Sequence, residues 1–575
     1  MSVVQATFAA TLVDEWVRAG VTEAVVCPGS RSTPLALAIA ARPELSVHVR
    51  LDERGAGFFA LGLGRATGRP AVVCVTSGTA AAELHAAVVE AHHGRVPLIV
   101  CTADRPPELH GVGASQTVEQ VGIYGSALRW SADPGVPVAE TSGTWRSLAA
   151  RAMAEAGSGP YGPGPVHLNL AFRDPLVGEP GPLPPGRADG KPFHRMAPQV
   201  GAPVLDDRWS LPAGRGLIVA GAGCGPVPAV LAMAEHLGWP VLADPLSGCR
   251  VDHPQVVAAG DAVARSGRDD LRPEVVVRLG SAWASKALPA FLAGADTVAV
   301  DPWWRWQDPD RTAAVVHRTD PGSFAEAVCR RPATAGPAGW LAGWQRAERV
   351  AQAAIDRVLA EVGLSEPLVA RRLARLLPGD VTVVVSSSMP VRDLEWFAPP
   401  VADPPRVLAN RGANGIDGVC STALGVAASC GGPVAAVLGD LAFFHDVGAL
   451  VGAGEPGAPT GAPCTVLVVD NGGGGIFEFL PQAGSVERAV FERVFATPQA
   501  ADVLQVAAGL GVETADVGTP DELDEVLGAA ATAKGHRVVR VRVPARPGNV
   551  DVHRRVHDAV AEALARQEPL PKPEP

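Results

Sequence analysis

Val434-Ala435-Ala436-Val437-Leu438-Gly439-Asp440 and, farther along, Thr465-Val466-Leu467-Val468-Val469-Asp470-Asn471-Gly472-Gly473-Gly474-Gly475 are two apolar runs that end in oxygen donors beside glycines. Five consecutive apolar or small residues bounded by glycine read as a buried strand. An acid and an amide at two strand ends, next to a glycine run, share one hard cation. Mg²⁺ takes oxygen ligands in an octahedron and usually keeps waters or phosphate oxygens among them. The pair reads as a place for a Mg²⁺-bridged diphosphate, with Asp440 and Asn471 as side-chain ligands and the carbonyl of Gly473 as a third.

Outward from these strands the chain alternates strand and helix. In the first part, strands are expected at residues 24–27, 46–51, 71–75 and 97–101, with helices at 34–41, 53–66 and 80–91. Short apolar runs between amphipathic helices mean a parallel sheet covered on both faces. Sites in such sheets lie beyond the carboxyl ends of the strands, where the polar motifs fall. A Gly/Pro-rich stretch, 176–203, reads as a linker. A second unit opens with the strand 216–220 and continues with strands at 275–279 and 297–300. A second junction falls near 330–339. The third unit has a helix around 368–377 and strands at 381–385, 434–438, 465–469 and 537–541. The expected architecture is α/β: three doubly wound parallel-sheet domains, at 1–185, 200–335 and 350–575.

Composition bounds what such a chain does. At 575 residues it is too long for one core. Hydrophobic residues make up 47% and charged residues 19%, as in a soluble globular protein. No run reaches the roughly 18 apolar residues of a membrane helix, and residues 1–10 lack a basic segment with a cleavage site. The nine cysteines are scattered, and several sit in apolar runs. They read as buried free thiols of a cytoplasmic protein. A net charge of −11 argues against nucleic acid as a bulk electrostatic partner.

Glu53 stands at a strand-to-helix turn in Arg50-Leu51-Asp52-Glu53-Arg54-Gly55-Ala56-Gly57-Phe58. Read alone, it is a helix-start carboxylate that complements the dipole. Further motifs change its weight: Cys27-Pro28-Gly29-Ser30-Arg31-Ser32-Thr33-Pro34, Thr76-Ser77-Gly78-Thr79-Ala80, Asp104-Arg105-Pro106-Pro107-Glu108-Leu109, Ala114-Ser115-Gln116, Asn410-Arg411-Gly412-Ala413-Asn414-Gly415-Ile416-Asp417-Gly418 and Gly475-Ile476-Phe477. Together with Gly439-Asp440-Leu441 they span nearly the whole chain. In this set and order the chain resembles the 2-succinyl-5-enolpyruvyl-6-hydroxy-3-cyclohexene-1-carboxylate synthase family, thiamine-diphosphate enzymes of menaquinone biosynthesis.

The resemblance implies a thiamine-diphosphate-binding fold and a transferase. It would decarboxylate 2-oxoglutarate and add the succinyl carbanion to isochorismate in a 1,4-addition. It implies thiamine diphosphate with Mg²⁺ or Mn²⁺, held by Asp440, Asn471 and Gly473. Glu53 would be the catalytic carboxylate on the aminopyrimidine ring. Thr79, Ser388, Ile416, Ile476 and Phe477 would also touch the cofactor, with Ile416 beneath its bent rings. Ser30, Arg31, Arg105, Gln116, Lys286, Ser388, Arg392 and Arg411 would line the substrate site. Because Glu53 and the metal ligands lie on different units, the active form would be a homodimer or homotetramer with sites shared between subunits.

The physics agrees: both substrates are dicarboxylic acids, and arginine offers permanent, planar, bidentate carboxylate recognition. Some positions depart from the family pattern. Lys286 is followed by Ala287 where some relatives carry a second cation. The metal motif reads Gly-Asp-Leu, then Asp470-Asn471. Asp440 and Asn471 are separated by 30 residues, 441 to 470, a few more than usual, with the extra length placed in the Pro/Gly-rich 452–463. The alternatives are an acetolactate-synthase-like or other 2-keto-acid decarboxylase, which needs fewer carboxylate-binding arginines, and a non-catalytic acid-sensing relative.

Two features of the middle unit stand apart. Gly221-Ala222-Gly223-Cys224-Gly225 matches a dinucleotide fingerprint poorly, since the third glycine is out of register and no acidic ribose partner stands out, and it reads as a vestigial nucleotide-like fold with no bound flavin. Arg278 and Trp303-Trp304-Arg305-Trp306, with Arg95, read first as packing or an interface, and second as a regulatory pocket for an aromatic acid.

Overall fold

A computed structural model describes residues 2–194, 209–281, 284–303, 305–332, 335–453 and 461–570. Part of the expected linker (195–203), part of the Pro/Gly-rich 452–463 segment, and Trp304 lie outside them.

Three six-stranded sheets follow one another along the chain, and every strand pair in them is parallel. The first holds β1 (Glu23–Val26), β2 (Ser46–Val49), β3 (Ala71–Val75), β4 (Leu98–Asp104), β5 (Trp130–Ala132) and β6 (Pro165–Ala171), in the order 2-1-3-4-6-5. The second holds β7 (Gly216–Ala220), β8 (Val241–Ala243), β9 (Val256–Val257), β10 (Val275–Leu279), β11 (Asp296–Val300) and β12 (Ala313–His317), in the order 12-11-10-7-8-9. The third holds β13 (Thr382–Val385), β14 (Arg406–Ala409), β15 (Val434–Gly439), β16 (Cys464–Asp470), β17 (Glu513–Val517) and β18 (Arg537–Arg542), in the order 14-13-15-16-18-17.

The first and third orders are the same pattern displaced by twelve strands. The second is the doubly wound order of dinucleotide-binding sheets. There the Gly221 turn serves a packing need: a Cβ on Gly221 would lie 1.7 Å from the Ser281 carbonyl oxygen. The central strands are buried along their whole length, as parallel strands with helices on both faces must be.

Six helices matter for the site: α1 (Glu53–Thr67), α2 (Trp340–Val362), α3 (Glu366–Leu376), α4 (Met389–Phe397), α5 (Val419–Ser429) and α6 (Arg546–Ala565). The Asp52 side chain caps α1 by accepting the N–H groups of Arg54 and Gly55. The crossing of α1 and α5 joins the first and third units. A Cβ on Gly62 would sit 2.2 Å from the Thr422 carbonyl oxygen, and one on Gly425 would sit 2.1 Å from that of Phe59. Only glycine permits this backbone-to-backbone approach. One continuous core therefore runs from Val73 and Leu84 through Val419 and Leu424 to Val466.

α2 is an addition to the expected elements. Its Trp340, Trp344, Ala351 and Ile355 join Leu217 and Val276 of the middle sheet to Val556 and Val560 of α6. The helix expected at 80–91 is two segments, Thr79–Glu83 and His85–Gly94. Between them Leu84 has φ −73° and ψ −12°, a tightened turn rather than a break.

Candidate active site

β13 and β15 are neighbours in the third sheet, and their chain connections lead to opposite sides, the switch point at which open α/β sheets bind ligands. A cavity of about 500 Å³ lies there, beyond the carboxyl ends of β13, β15 and β16, within the size range of small-molecule sites. Ser388, Arg392, Arg411, Ile416, Asp440, Asn471, Gly473, Ile476 and Phe477 all line it. The expected third-unit residues are thus gathered around one space.

The end of the cavity that holds Asp440 and Asn471 is built by tight turns. Gly472 and Gly473 have φ of +80° and +128°, and a Cβ on Gly473 would lie 2.3 Å from the Ala496 carbonyl oxygen. Glycine is required for both reasons. Asn471 donates its side-chain N–H to Glu366 Oε1 at 2.6 Å. Its Oδ1 is buried and has no hydrogen-bond partner. A buried acceptor left open is costly unless something occupies it, and Glu366 fixes the amide so that the free atom is an oxygen. Asp440 is buried. Burial pushes its carboxyl up to about 6, and Asp470 beside it acts in the same direction. A cation would relieve both costs. The donors are a carboxylate, an amide oxygen and a carbonyl, a set suited to a hard, oxygen-seeking ion. Among the described residues there is no group of three or more His, Cys, Asp or Glu side chains placed to hold a metal. The residues present fit a magnesium-type ion carrying a diphosphate.

Behind Asn471 lies a buried chain that the sequence motifs do not reveal. Burial, and next the Asp393 carboxylate, raise the Glu366 pKa. Asp393 Oδ1 meets His553 Nε2 at 2.7 Å, and His553 Nδ1 lies 2.8 Å from the Asn549 carbonyl oxygen.

The cavity's other wall carries positive charge. Arg392 sits on α4, one turn after Ser388. Burial and then the neighbouring Arg411 lower the Arg392 pKa, as in a cluster waiting for an anion. Ser388 has φ +72° and ψ −131°, a conformation strained for a non-glycine residue. The Arg411 loop is held from the first unit: Glu90, itself buried, accepts the N–H groups of Gly412 and Ala413 at 2.8 and 2.6 Å and pairs with Arg65 at 3.1 Å.

The first-unit residues form a separate cluster at the ends of β1, β3 and β4. Arg105 donates to Ser77 Oγ, which in turn donates to the Gln116 carbonyl at 2.9 Å. The Gln116 side chain returns a hydrogen bond to the Ser77 carbonyl at 3.0 Å. Arg31 reaches the Phe172 carbonyl at 3.0 Å and Asp174 at 3.2 Å. Burial, and then Arg31, lower the Arg105 pKa. Glu53 begins α1, half-buried. Neither Glu53 and Thr79 nor Ser30, Arg31, Arg105 and Gln116 line the third-unit cavity of their own chain. Lys286, on the middle unit, is exposed and also stands off that cavity, although Ala284 lines it.

Arg95, Arg278, Asp301 and Trp306 line a space of about 20 Å³, far below an aromatic acid, and Arg278 also lines one of about 160 Å³ beside Pro289 and Thr312. Arg278 is paired with Asp308 at 2.8 Å.

Three family models match the chain in succession. The N-terminal TPP-binding domain of thiamine pyrophosphate enzymes covers residues 6–123, the middle domain 187–385, and the C-terminal TPP-binding domain 396–541. Curated relatives match over almost their whole length. The 2-succinyl-5-enolpyruvyl-6-hydroxy-3-cyclohexene-1-carboxylate synthase of Thermobifida fusca is 44% identical over 97% of this chain and 99% of its own. Synthases of the same name from Chloroflexus aurantiacus and Myxococcus xanthus are 42% and 41% identical, covering 95% and 97% of each chain. No helix among the described residues is long and apolar enough to cross a membrane. With this similarity along the full chain, and a cavity at the switch point of its C-terminal sheet, the protein belongs to the 2-succinyl-5-enolpyruvyl-6-hydroxy-3-cyclohexene-1-carboxylate synthase family of thiamine-diphosphate enzymes.

Proposed function

We propose that this enzyme joins 2-oxoglutarate to isochorismate, with loss of CO₂, to give 2-succinyl-5-enolpyruvyl-6-hydroxy-3-cyclohexene-1-carboxylate. When bound, thiamine diphosphate supplies the carbon chemistry, as cofactors do for reactions that side chains cannot run alone. The chain supplies binding, orientation and exclusion of water.

Asp440, Asn471 Oδ1 and the Gly473 carbonyl would hold Mg²⁺ or Mn²⁺, and through it the diphosphate. Ile416 would support the bent cofactor from below, with Ser388 and Thr79 as polar contacts. Ile476 and Phe477 would keep water from the reacting carbon. Glu53 would hold and return a proton at its carboxylate oxygen against the aminopyrimidine ring. Two arginine pairs, Arg31 with Arg105 and Arg392 with Arg411, would neutralise substrate carboxylates, helped by Ser30, Gln116 and Lys286. Two dicarboxylic substrates call for such a surplus of cations; a pyruvate-using relative has no need of it.

Each chain carries two half-sites, so we place the complete site between the first unit of one subunit and the third unit of another, in a homodimer or homotetramer. Nine free thiols support a reducing, cytoplasmic setting.

The observation that carries this reading is the partnerless Asn471 Oδ1, buried in the wall that also holds Asp440, with the Arg392–Arg411 pair on the cavity's other wall. The test is incubation with thiamine diphosphate, Mg²⁺, 2-oxoglutarate and isochorismate, followed by mass analysis. The expected result is the named product with one CO₂ released per turnover. Equal turnover with pyruvate in place of 2-oxoglutarate would overturn the substrate assignment.

A further inference from the structure

The middle unit grips α4 from two directions. Arg250, fully buried, donates Nε–H to the Ala243 carbonyl at 2.8 Å. It also caps the end of α4 through the carbonyls of Leu394 at 2.8 Å, Ala398 at 2.6 Å and Glu395 at 2.5 Å. A cation there completes the free carbonyls of a helix C-terminus and complements its dipole. Val401, just beyond the helix, bridges Val251 of the middle unit.

Glu395 reaches the other way. Its two carboxylate oxygens accept the N–H groups of Ala284 at 2.9 Å and Ser285 at 3.0 Å. Burial, and then Asp244 and Asp261, make this a costly place for a carboxylate and raise its pKa. A contact needed only for packing is served as well by an apolar side chain of similar volume. What the carboxylate adds is a fixed position for two consecutive peptide groups.

The first of those two residues opens onto the site. Ala284 lines the cavity together with Arg392, three residues before Glu395 on the same helix. Ser285 Oγ donates to Asp261 and accepts the N–H groups of Ala287 and Leu288, which starts the short helix Ala287–Leu292. Lys286 lies between these fixed points. One helix thus presents a cation to the cavity and holds the loop that bears another.

We propose that Glu395 is a positioning residue for substrate recognition: it pins residues 284–286 to α4, so that Lys286 and Arg392 bind substrate carboxylate as one unit across the junction of the middle and third units. This rests on the proposed role of Lys286 as a substrate contact.

The test is a double-mutant cycle of Glu395→Gln and Lys286→Ala, with KM for each substrate, kcat and the activation constant for thiamine diphosphate. A glutamine offers one acceptor where two are needed and turns a donor toward a peptide N–H. Glu395→Gln should raise the same substrate's KM that Lys286→Ala raises, by about tenfold, with kcat within about threefold and cofactor activation unchanged. The double variant should be no worse than the poorer single one, and Glu395→Asp should recover part of the loss. If Lys286→Ala raises KM while Glu395→Gln does not, or if the two effects add in full, the proposal is overturned. Joint loss of kcat, cofactor activation and thermal midpoint in Glu395→Gln would overturn it in favour of a folding role. A silent Lys286→Ala would instead refute the reading of Lys286, and this proposal with it.

Discussion

In the proposed site Asn471 would act through one atom, Oδ1, and that atom is free because Glu366 holds the other end of the amide. Residues that orient a metal ligand from behind typically cost 10–100-fold in metal affinity when removed, on the order of what a lost hydrogen bond to a charged group implies. Glu366→Ala should therefore weaken Mg²⁺ activation by about that factor, read from metal titration of turnover at saturating thiamine diphosphate. Unchanged metal dependence would mean that the amide needs no such support. Glu53 is the opposite case, a side chain whose burial and partners within its own chain say little about its work. Glu53→Gln should lower turnover by roughly 10² to 10⁴, the scale of a positioned proton-transfer group, and near-wild-type turnover would refute its role. Strand ends and glycine runs single out Glu53, Asp440 and Asn471 in the sequence as candidates, and the structure brings Asp440 and Asn471 to one cavity. Glu90, Glu366 and Glu395 were not legible there, because each acts on a backbone or side chain 105 to 323 residues away, and no local pattern records such a partner.

At the scale of elements, glycine and ion pairs make opposite kinds of prediction. An alanine in place of a mid-helix glycine ordinarily stabilises a helix by about 1 kcal/mol. Gly62 should reverse that sign. Its Cβ would collide with the backbone of α5, and overpacking of this kind costs about 1–3 kcal/mol. Gly62→Ala should lower the midpoint of chemical denaturation, and a raised midpoint would show that the crossing has slack. α2 and α3 are tied by Asp356, which meets Arg371 at 2.6 Å and Arg375 at 2.8 Å. Burial pushes the Asp356 carboxyl up, but the two guanidiniums outweigh it and hold it near 2, against 3.8 for an ordinary aspartate. A depressed folded pKa gives stability that is fully present above pH 3.8 and lost as pH falls from there toward about 2. Asp356→Asn should flatten that part of the stability–pH curve; an unaltered slope would remove the pair from the acid response. The strands 71–75 and 216–220 could be read to the residue, since each is an unbroken run of apolar or small residues, and 275–279 is interrupted only by Arg278. β8 and β9 span only 241–243 and 256–257, too short for any period to show. α2 has its tryptophans and alanines at helical spacing, but lies where the expected junction drew attention away.

At the scale of the molecule, the first and third units repeat one sheet order and meet at α1 and α5, yet their candidate site residues fall into two clusters that do not share a cavity within the chain. The three-unit α/β plan was legible from the alternation of apolar runs and helices. The separation of the clusters within one chain was expected only through the family resemblance, because it depends on how two sheets are turned about a helix crossing, which no local pattern records. In the proposed assembly the clusters meet between subunits, and complementation tests this directly. Glu53→Gln and Asp440→Asn variants, each inactive alone, are mixed under conditions that allow subunits to exchange. A hybrid dimer has one site with both residues intact if the sites are shared, so random exchange should restore about a quarter of wild-type activity. If each site lies within one chain, every site in the hybrid keeps a defect, and a mixture no more active than its parents would contradict the account.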